Sequence, residues 1–440
     1  MDRRKFLRES AVGFSVAAGS LSQGNVAKAT ANERIRVGCI GAGGRALRLV
    51  STFSAHPDVE VVGIADIDNR KFPDALAVAQ KNQGKRPAVM RDFRRLIDDP
   101  TIDAIVVGTP DHWHAIPTIL ACLAGKDVYV EKPDGHNIVE GQRMVAAMRK
   151  TGRVVQLGSQ HRSTTRLQSA MSFVRDGGLG KCLLAKAWES TKQGSIGFPE
   201  DSTPPPEVDY DMWLGPAPER PFNIRRFHGT WRWFFDYGTG DLGNDGVHRL
   251  DMALALLNEA AVAQGDSPLG LPDSVAASGG KWYFDDLQEF PDTLQVNYNY
   301  GGPTPKFLTY EMRIWAPYNY HNEGEGAAVY GDQAYLVIGN NRWRAYGPKN
   351  ELIKEVTGDS DETPHVQNFL DCMRSRQKPA CDLETIGHPA SVLCHAGNLS
   401  ARLGRQLFLD PQTETFRDDA EANSLRTRTE YRRPWVLPEV

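Results

Sequence analysis

The sequence predicts an α/β protein of two domains: a doubly wound parallel sheet, then an α+β domain with a large, mostly antiparallel sheet. Up to about residue 157, short apolar runs alternate with helical patterns, as expected for parallel strands joined by crossover helices. Beyond that point, runs rich in aromatic and β-branched residues follow one another with fewer helical patterns between them. We therefore place the two domains at residues 33–156 and 157–440.

The first predicted strand, residues 35–40, runs directly into the glycine-rich turn Gly41-Ala42-Gly43-Gly44-Arg45, and a helical pattern follows. Strand, glycine turn and helix in this order are typical of a Rossmann dinucleotide-binding fold. Gly41 permits the tight turn, and Gly43 lets the backbone approach a pyrophosphate. Because a helix N-terminus favours an anion, we predict that a dinucleotide binds here.

The second predicted strand, residues 59–65, ends at Asp66. Dinucleotide sites place a ribose-binding acid about 20 residues after the glycine turn. A carboxylate accepts hydrogen bonds from the ribose hydroxyls and repels a 2′-phosphate, so Asp66 favours NAD over NADP. Two alternatives remain: Asp68 takes this role, or Asp66 only caps the next helix.

Two further motifs follow predicted strands of the same sheet. Thr109, Pro110 and His114 come after the run 102–108, and Glu131-Lys132 comes after the run 127–130. Because ligands of doubly wound sheets bind beyond the carboxyl ends of the strands, we expect both motifs at the cofactor.

A third motif, residues 238–251, contains Asp241, Asn244, Asp245 and His248 and has to reach the same edge from the second domain. The three motifs in this order resemble the Gfo/Idh/MocA family of NAD(P)-dependent oxidoreductases, which act on sugars, inositols and related polyols. The tracts 209–216 and 231–251 are similar to an exported subgroup of that family. The resemblance implies a Rossmann cofactor domain, a substrate domain whose sheet often forms an oligomer interface, and a homo-oligomeric enzyme.

The resemblance also implies roles for individual residues. Lys132 lies near the nicotinamide and the reacting hydroxyl, and His248 takes the hydroxyl proton, since an imidazole titrates near neutral pH. The alternatives are a surface salt bridge for Lys132 and a satisfied buried histidine for His248. The implied cofactor-binding residues are Gly41, Ala42, Gly43, Gly44, Arg45, Asp66, Thr109, Pro110, His114, Glu131 and Lys132.

One position departs from the family. Many family dehydrogenases have an aspartate four residues before the catalytic histidine, where this chain has Asn244. A neutral amide cannot act as a base, but it can orient a substrate hydroxyl. Asp241 and Asp245 flank Asn244, and we count both, with Asn244 itself, among the candidate site residues.

The second domain offers two further candidate substrate contacts. Arg162 closes a polar loop after the run 153–157, and Trp231 lies in a segment dense in aromatic and basic residues. Such a mixture suits sugar rings, although we expect most of these aromatics to be core or interface. Near the C-terminus we predict helices over 365–370, 372–379 and 388–403, followed by a polar tail.

The N-terminus begins Met1-Asp2-Arg3-Arg4-Lys5-Phe6-Leu7, continues with a mildly apolar run, and has the small residues Ala27 and Ala29. This resembles a twin-arginine export signal, so we predict a signal peptide at 1–29 and a periplasmic or otherwise exported bacterial protein. The alternative is a basic, disordered N-terminus. The apolar run is too short for a membrane span, which needs about 20 residues.

Composition excludes several other classes of function. With 440 residues, a net charge of −4 and 40% hydrophobic residues, the chain offers no basic surface for nucleic acid. Its six cysteines show no Cys-x-x-Cys spacing, so we expect no metal site, and a Cys372–Cys381 disulfide is less favoured than free thiols.

Two functional hypotheses follow for a small-molecule sugar or glycoside substrate. The first is an oxidoreductase that transfers hydride from a CH–OH group of a sugar or polyol to tightly held NAD. The second is a redox-neutral glycoside hydrolase or lyase acting by transient oxidation and elimination. A third, less favoured hypothesis is a catalytically idle sugar-binding protein, for which Lys132 and His248 would be dispensable.

Overall fold

The computed structural model describes residues 34–358 and 360–440, so the signal peptide predicted at 1–29 lies outside the described residues. The first domain has a six-stranded sheet with helices on its faces. Its strands are β1 (Ile35–Ile40), β2 (Val59–Ala65), β3 (Ala88–Met90), β4 (Ala104–Val107), β5 (Asp127–Val130) and β6 (Val155–Leu157). Its helices are α1 (Gly44–Ala55), α2 (Phe72–Gln83), α3 (Arg94–Ile97), α4 (Ala115–Leu123) and α5 (Ile138–Thr151).

All neighbouring strands of this sheet are parallel, in the order β3-β2-β1-β4-β5-β6. Strand order reverses between β1 and β4, where doubly wound sheets open a crevice for a ligand. The central strands read as continuous apolar runs because helices cover both faces; all four residues of β4 are buried.

The second domain is built on a ten-stranded sheet. Its strands are β7 (Cys182–Glu189), β8 (Ser274–Gly280), β9 (Thr293–Tyr300), β10 (Lys306–Arg313), β11 (Glu325–Gly331), β12 (Tyr335–Ile338), β13 (Arg342–Tyr346), β14 (Leu352–Thr357), β15 (Leu407–Asp410) and β16 (Thr415–Phe416). Its helices are α6 (Thr165–Arg175), α7 (Tyr210–Leu214), α8 (Val247–Ala263), α9 (Thr363–Ser375), α10 (His388–Leu403) and α11 (Ala420–Ser424).

The strand order is β14-β13-β12-β11-β7-β10-β9-β8-β15-β16, and in the described residues of this sheet only β7 and β10 pair in parallel. Helix α8 packs on β7 and β11, and α10 packs on β8. A π-helical turn over Leu242–Gly246 leads directly into α8. The predicted fold class, a parallel doubly wound sheet plus an α+β domain with a mostly antiparallel sheet, is confirmed.

Helix α9 belongs to the core of the first domain although it lies late in the chain. The Phe369 ring packs edge-on against Phe53 and Tyr129, with ring centroids 6.4 and 5.9 Å apart. Trp435, near the C-terminus, packs in the same way on Trp113 at 4.9 Å. The two domains therefore share apolar contacts on both sides of the parallel sheet.

Two predictions about the C-terminal region are wrong in detail. The helices predicted at 365–370 and 372–379 are one helix, α9, which ends at Arg376 in a left-handed conformation. The predicted polar tail forms β15, β16 and α11, because Leu407 and Leu409 add a buried edge to the large sheet. All six cysteines are buried and free.

In the described part of the chain, no helix is long and apolar enough to cross a membrane. Nor do three or more histidine, cysteine, aspartate or glutamate side chains gather there as they would around a metal ion.

Candidate functional site

A cavity of about 410 Å³ lies over the carboxyl ends of β1, β2 and β4. The glycine turn forms its floor. Gly41 has φ +103°, and a Cβ there would lie 2.8 Å from Ala46 Cβ and 3.0 Å from the Gly108 carbonyl oxygen, so only glycine fits. Gly43, by contrast, has φ −113°, and a Cβ there would meet only the flexible Lys71 side chain. Its backbone is therefore open toward the cavity, as close approach of a pyrophosphate requires.

Asp66 lies on the cavity wall beside the glycine turn. One carboxylate oxygen accepts a hydrogen bond from Ala42 N at 2.7 Å, and the other accepts one from Asp68 N at 2.8 Å. Burial raises the pKa of Asp66 to about 6, against the lowering effect of these two bonds. Its position agrees with that of a ribose-binding carboxylate.

Asp68, the alternative, points elsewhere: it is fully buried between Arg70 and His228, each 2.7 Å from Oδ2. These two partners leave it committed to protein contacts rather than to a ribose.

The other wall of the cavity comes from the motif after β4. Thr109 and Pro110 line the cavity, and the Thr109 hydroxyl is buried with no partner in the described residues. His114 bridges two loops: its Nδ1 lies 2.6 Å from the Pro133 carbonyl oxygen and its Nε2 lies 2.9 Å from that of Thr109. His114 thus ties the cofactor wall to the Glu131-Lys132 motif.

Arg45, at the start of α1, lines the same cavity. Its Nε donates to Glu131 at 2.7 Å and its Nη1 donates to Glu362 at 2.7 Å, while Nη2 is buried with no partner in the described residues. The unpartnered Nη2 of Arg45, the Thr109 hydroxyl and the open Gly43 backbone all fit a bound dinucleotide.

Lys132 and Asn244 meet across the domain boundary. Lys132 Nζ donates to the Asn244 backbone oxygen at 2.6 Å and lies 3.4 Å from the side-chain Oδ1. The Asn244 amide donates to Asp245 Oδ2 at 3.0 Å. The π-helical turn carries Asn244 and Asp245 toward the first domain, so residues 112 positions apart in the chain form one polar cluster.

His248 lies in the first turn of α8, directly after this cluster. It is 9% exposed, and its Nδ1 has no hydrogen-bond partner in the described residues. Burial, with the positive charge of Lys132 second, holds the pKa of His248 well below its ordinary value. The ring is therefore neutral at physiological pH and able to accept a proton.

Asp241 is buried beneath the same cluster, at 1% exposure. Burial, and next the charge of Asp245, raises the pKa of Asp241 well above its ordinary value. A carboxyl group in this environment remains protonated near neutral pH and can donate a hydrogen bond.

The remaining two candidate substrate residues lie away from this cluster. Arg162 is 7% exposed and forms a bidentate ion pair with Asp251 of α8, with distances of 2.9 and 2.6 Å. That pair holds the polar loop to α8 and leaves little of the guanidinium for a ligand. Trp231 lines the cofactor cavity itself.

The sequence reasoning missed the wall that the second domain adds to the cofactor cavity. We call residues 207–232 the crossing segment, because they pass over the edge of the first domain. Met212, Trp213 and His228 of this segment line the cavity. Nothing in the composition of the tract 209–216 indicates a cofactor contact. His161 lies in the same polar loop as Arg162, and its ring packs edge-on against that of His248, with ring centroids 5.4 Å apart.

Fold and site together define a dinucleotide-binding protein with a Rossmann domain. Residues 35–159 match the family model described as "Oxidoreductase family, NAD-binding Rossmann fold" (GFO_IDH_MocA). Residues 184–269 and 341–437 match that family's C-terminal alpha/beta domain. The two models together cover more than half of the chain, which belongs to the Gfo/Idh/MocA oxidoreductase family and has NAD as its cofactor.

Curated relatives match parts of the chain. A levoglucosan dehydrogenase from Pseudarthrobacter phenanthrenivorans is 25% identical over 56% of this chain and 57% of its own length. A glycosyl hydrolase family 109 protein from Saccharopolyspora erythraea is 30% identical over 35% of this chain and 34% of its own length. The chain thus spans between about a third and little more than half of the length of these curated relatives.

Solved structures show the same fold over nearly their whole length. The WlbA dehydrogenase from Bordetella pertussis, in complex with NADH and UDP-GlcNAcA, has a TM-score of 0.62 at 20% identity and covers 86% of this chain and 99% of its own. The aldose-aldose oxidoreductase from Caulobacter crescentus, complexed with glycerol, has a TM-score of 0.63 at 19% identity, with 86% and 100% covered.

Proposed function

We propose that this protein oxidises a CH–OH group of a sugar or polyol with NAD that stays bound through the catalytic cycle. The observation that carries the proposal is the junction of Lys132, Asn244 and His248 at the carboxyl edge of the parallel sheet, beside the glycine turn. Bound NAD supplies the hydride acceptor. The residues of this junction handle the proton of the hydroxyl group.

Two side chains share this proton chemistry. His248 is buried and neutral, so it can take the hydroxyl proton as the carbon is oxidised. Lys132 carries three donor hydrogens, and one of them is held by the Asn244 carbonyl at 2.6 Å. A second points to the Asn244 side-chain Oδ1 at 3.4 Å. The third remains for the substrate oxygen, on which negative charge develops. Lys132 thus positions the hydroxyl and stabilises the charge that His248 creates.

Asn244 acts as a neutral anchor in this arrangement. An aspartate at this position would place a second negative charge beside Asp245, whose Oδ2 now accepts the Asn244 amide at 3.0 Å. The amide instead joins Lys132 to Asp245 without adding charge. We infer that Asn244 orients the substrate and does not act as a base.

The crossing segment supports retention of the cofactor. Val208 forms a β-bridge with Asp68, Asp209 N donates to the Ile67 carbonyl at 2.9 Å, and His228 Nε2 lies 2.7 Å from Asp68 Oδ2. These contacts fix the segment across the cavity mouth on the side of Asp66. Release of a dinucleotide would require breaking several of them, so we infer slow exchange of NAD and a closed redox cycle.

A second candidate function is redox-neutral cleavage of a glycoside, in which a ring hydroxyl is oxidised only transiently. Asp241 favours it, because a buried, protonated carboxyl group next to the Lys132 cluster can protonate a departing aglycone oxygen. The similarity to a glycosyl hydrolase family 109 protein agrees with this chemistry.

One pair of assays separates the two candidates. A sugar deuterated at its oxidisable carbon is mixed with an unlabelled acceptor sugar, and nitrophenyl glycosides are incubated separately in D₂O. Deuterium transfer without cleavage supports the oxidoreductase. Aglycone release with solvent deuterium in the product and no net reduction of NAD supports the glycosidase. Absence of both reactions over a broad substrate panel would overturn the proposal.

The same assays test the assigned residues. Lys132→Ala and His248→Ala should each lower turnover by about 100-fold, the usual contribution of a positioned proton-transfer group. Both variants should retain NAD, since neither residue closes the cavity. Lys150→Ala, at an exposed position in the last turn of α5, is the matched control and should keep full turnover. Normal turnover in both site variants would contradict the catalytic roles assigned to Lys132 and His248.

We also propose export by the twin-arginine route and assembly into a homo-oligomer. Arg3-Arg4 and the small residues Ala27 and Ala29 support export, which would let the protein fold around NAD before translocation. N-terminal sequencing of the exported protein should then begin near Thr30, and an intact Met1 would contradict it. Sedimentation should show more than one chain per particle, and a monomer at micromolar concentration would contradict assembly.

A further inference from the structure

A second, larger cavity of about 730 Å³ lies between α10, the segment 425–433 and the loops around residues 218–239. It shares no lining residue with the cofactor cavity, and neither Lys132 nor His248 lines it. Its volume is within the range of small-molecule sites, which is roughly 300–1,000 Å³, and far exceeds that of a single water.

Two histidines on its wall each have a ring nitrogen without a hydrogen-bond partner in the described residues. His136 Nε2 lies 2.9 Å from the Phe235 carbonyl oxygen, and because a carbonyl only accepts, Nε2 carries the proton. Nδ1 is therefore the acceptor, and it is buried with no hydrogen-bond partner in the described residues. Burial holds the pKa of His136 well below its ordinary value, so the ring stays neutral.

His395, on α10, repeats the pattern. It is 5% exposed, and its Nε2 has no hydrogen-bond partner in the described residues. Burial lowers the pKa of His395 to about 4, so this ring is also neutral. The His136 ring, held on one side by a backbone carbonyl, needs a hydrogen-bond donor on the other.

The His136 acceptor restricts the chemistry of a ligand. Carboxylates and phosphates only accept hydrogen bonds, so they cannot satisfy a neutral imidazole nitrogen, whereas hydroxyl groups can. Among the charged lining residues that are exposed and have no ion pair in the described part of the chain, the charges are balanced as well. Arg402 and Arg433 are exposed without an ion pair in the described residues, and so are Glu219 and Glu430. A neutral, hydroxylated ligand fits both observations.

The cavity also has an aromatic wall. The rings of Phe235 and Phe290 lie 4.4 Å apart, and the Arg402 guanidinium stands 4.8 Å from the Phe235 ring centre. Aromatic faces pack on the C–H faces of sugar rings, while guanidinium N–H groups donate to their hydroxyl oxygens. We propose that this cavity binds a neutral sugar or polyol at a site separate from the reaction centre.

The test uses the full chain with its cofactor and D-glucose as the probe. Saturation-transfer NMR and calorimetry should detect glucose binding that survives in Lys132→Ala, because that residue lies outside the cavity. His395→Ala and the surface variant Arg402→Ala should each weaken this binding by tenfold or more. Crystals soaked in glucose should show a sugar between His136 and His395.

Three outcomes would overturn the proposal. Glucose density only beside Lys132, with water or nothing in the second cavity, would show that the cavity is no sugar site. Undiminished glucose binding in both His395→Ala and Arg402→Ala would do the same, and because Arg402 is exposed, that variant should not fail by misfolding. Tighter binding of gluconate or glucosamine than of glucose would contradict the neutral-ligand assignment.

Discussion

The Gly43→Ala substitution separates cofactor binding from folding at the glycine turn. Gly43 has φ −113°, which alanine adopts freely, and the added Cβ would lie 3.2 Å from Lys71 Cδ, a flexible chain that can move. Alanine is a poorer helix N-cap than glycine, by roughly 0.5–1 kcal/mol. It also reduces the entropy of the unfolded chain, which offsets about 0.4–1 kcal/mol. The free energy of unfolding should therefore change by less than about 0.5 kcal/mol.

The effect on NAD should be much larger, because the same methyl group faces the cavity where the pyrophosphate must approach. We expect NAD affinity to fall at least tenfold, equal to about 1.4 kcal/mol. Denaturant titration gives the stability, and calorimetric titration of cofactor-free protein gives the affinity. A Gly43→Ala variant whose affinity for NAD equals that of the unchanged chain would refute this account of the turn.

Two other glycines calibrate the result. Gly84 ends α2 with φ +75°, and the space that a Cβ would enter there is open, so Gly84→Ala should cost about 1 kcal/mol of stability yet keep NAD. Gly41→Ala should lose both stability and NAD binding, since its Cβ would meet Ala46 and the Gly108 backbone. Loss of NAD in Gly84→Ala would show that affinity follows stability alone.

Three further predictions concern single side chains. His228→Ala should speed NAD dissociation about tenfold with little change in stability, because it removes one contact of the crossing segment. Stopped-flow fluorescence measures the dissociation rate, and an unchanged rate would contradict a role of His228 in retaining NAD. His388 lies 2.5 Å from Asp134 and 2.9 Å from Glu414; burial opposes its charge, but the two carboxylates raise its pKa to about 10. His388→Ala should thus lower the free energy of unfolding by about 3 kcal/mol, as loss of one partner of a buried pair does. The stabilisation that it removes is complete below about pH 6.5 and disappears as the pH rises through about 10. A loss of stability that is independent of pH would contradict a charged His388. Asp241 has a raised pKa, so the free energy of unfolding should fall as the pH rises above the ordinary range of a carboxyl group. Asp241→Asn should remove the contribution of Asp241 to this decline, as measured by urea titrations at a series of pH values. An unchanged dependence of stability on pH would contradict a protonated Asp241.

Much of the cofactor site could be predicted because its signals are local in the chain. The run 35–40, the glycine turn and Asp66 lie within about 30 residues, and each has a residue type that the geometry demands. The structure brings them together in one cavity, with Thr109 and Pro110 opposite. Runs of aromatic and β-branched residues also predicted a large, mostly antiparallel sheet in the second domain.

Contacts between distant segments could not be predicted in this way. Nothing in the sequence near Arg162 indicates that Asp251, 89 residues later, takes up its charge. The placement of α9 on the first domain depends on Phe369 meeting Phe53 and Tyr129, which periodicity does not encode. The crossing segment is a third example, since its hold on Asp68 comes from His228, 160 residues away.

The nicotinamide content of the purified protein tests the central claim most directly. The full chain is purified through gel filtration without added cofactor and heat-denatured, and the released NAD(H) is quantified by chromatography. We predict close to one nicotinamide dinucleotide per chain, since the crossing segment holds the cavity mouth. Protein that is folded but free of NAD, and that gains activity only from added cofactor, would contradict retention and the closed redox cycle.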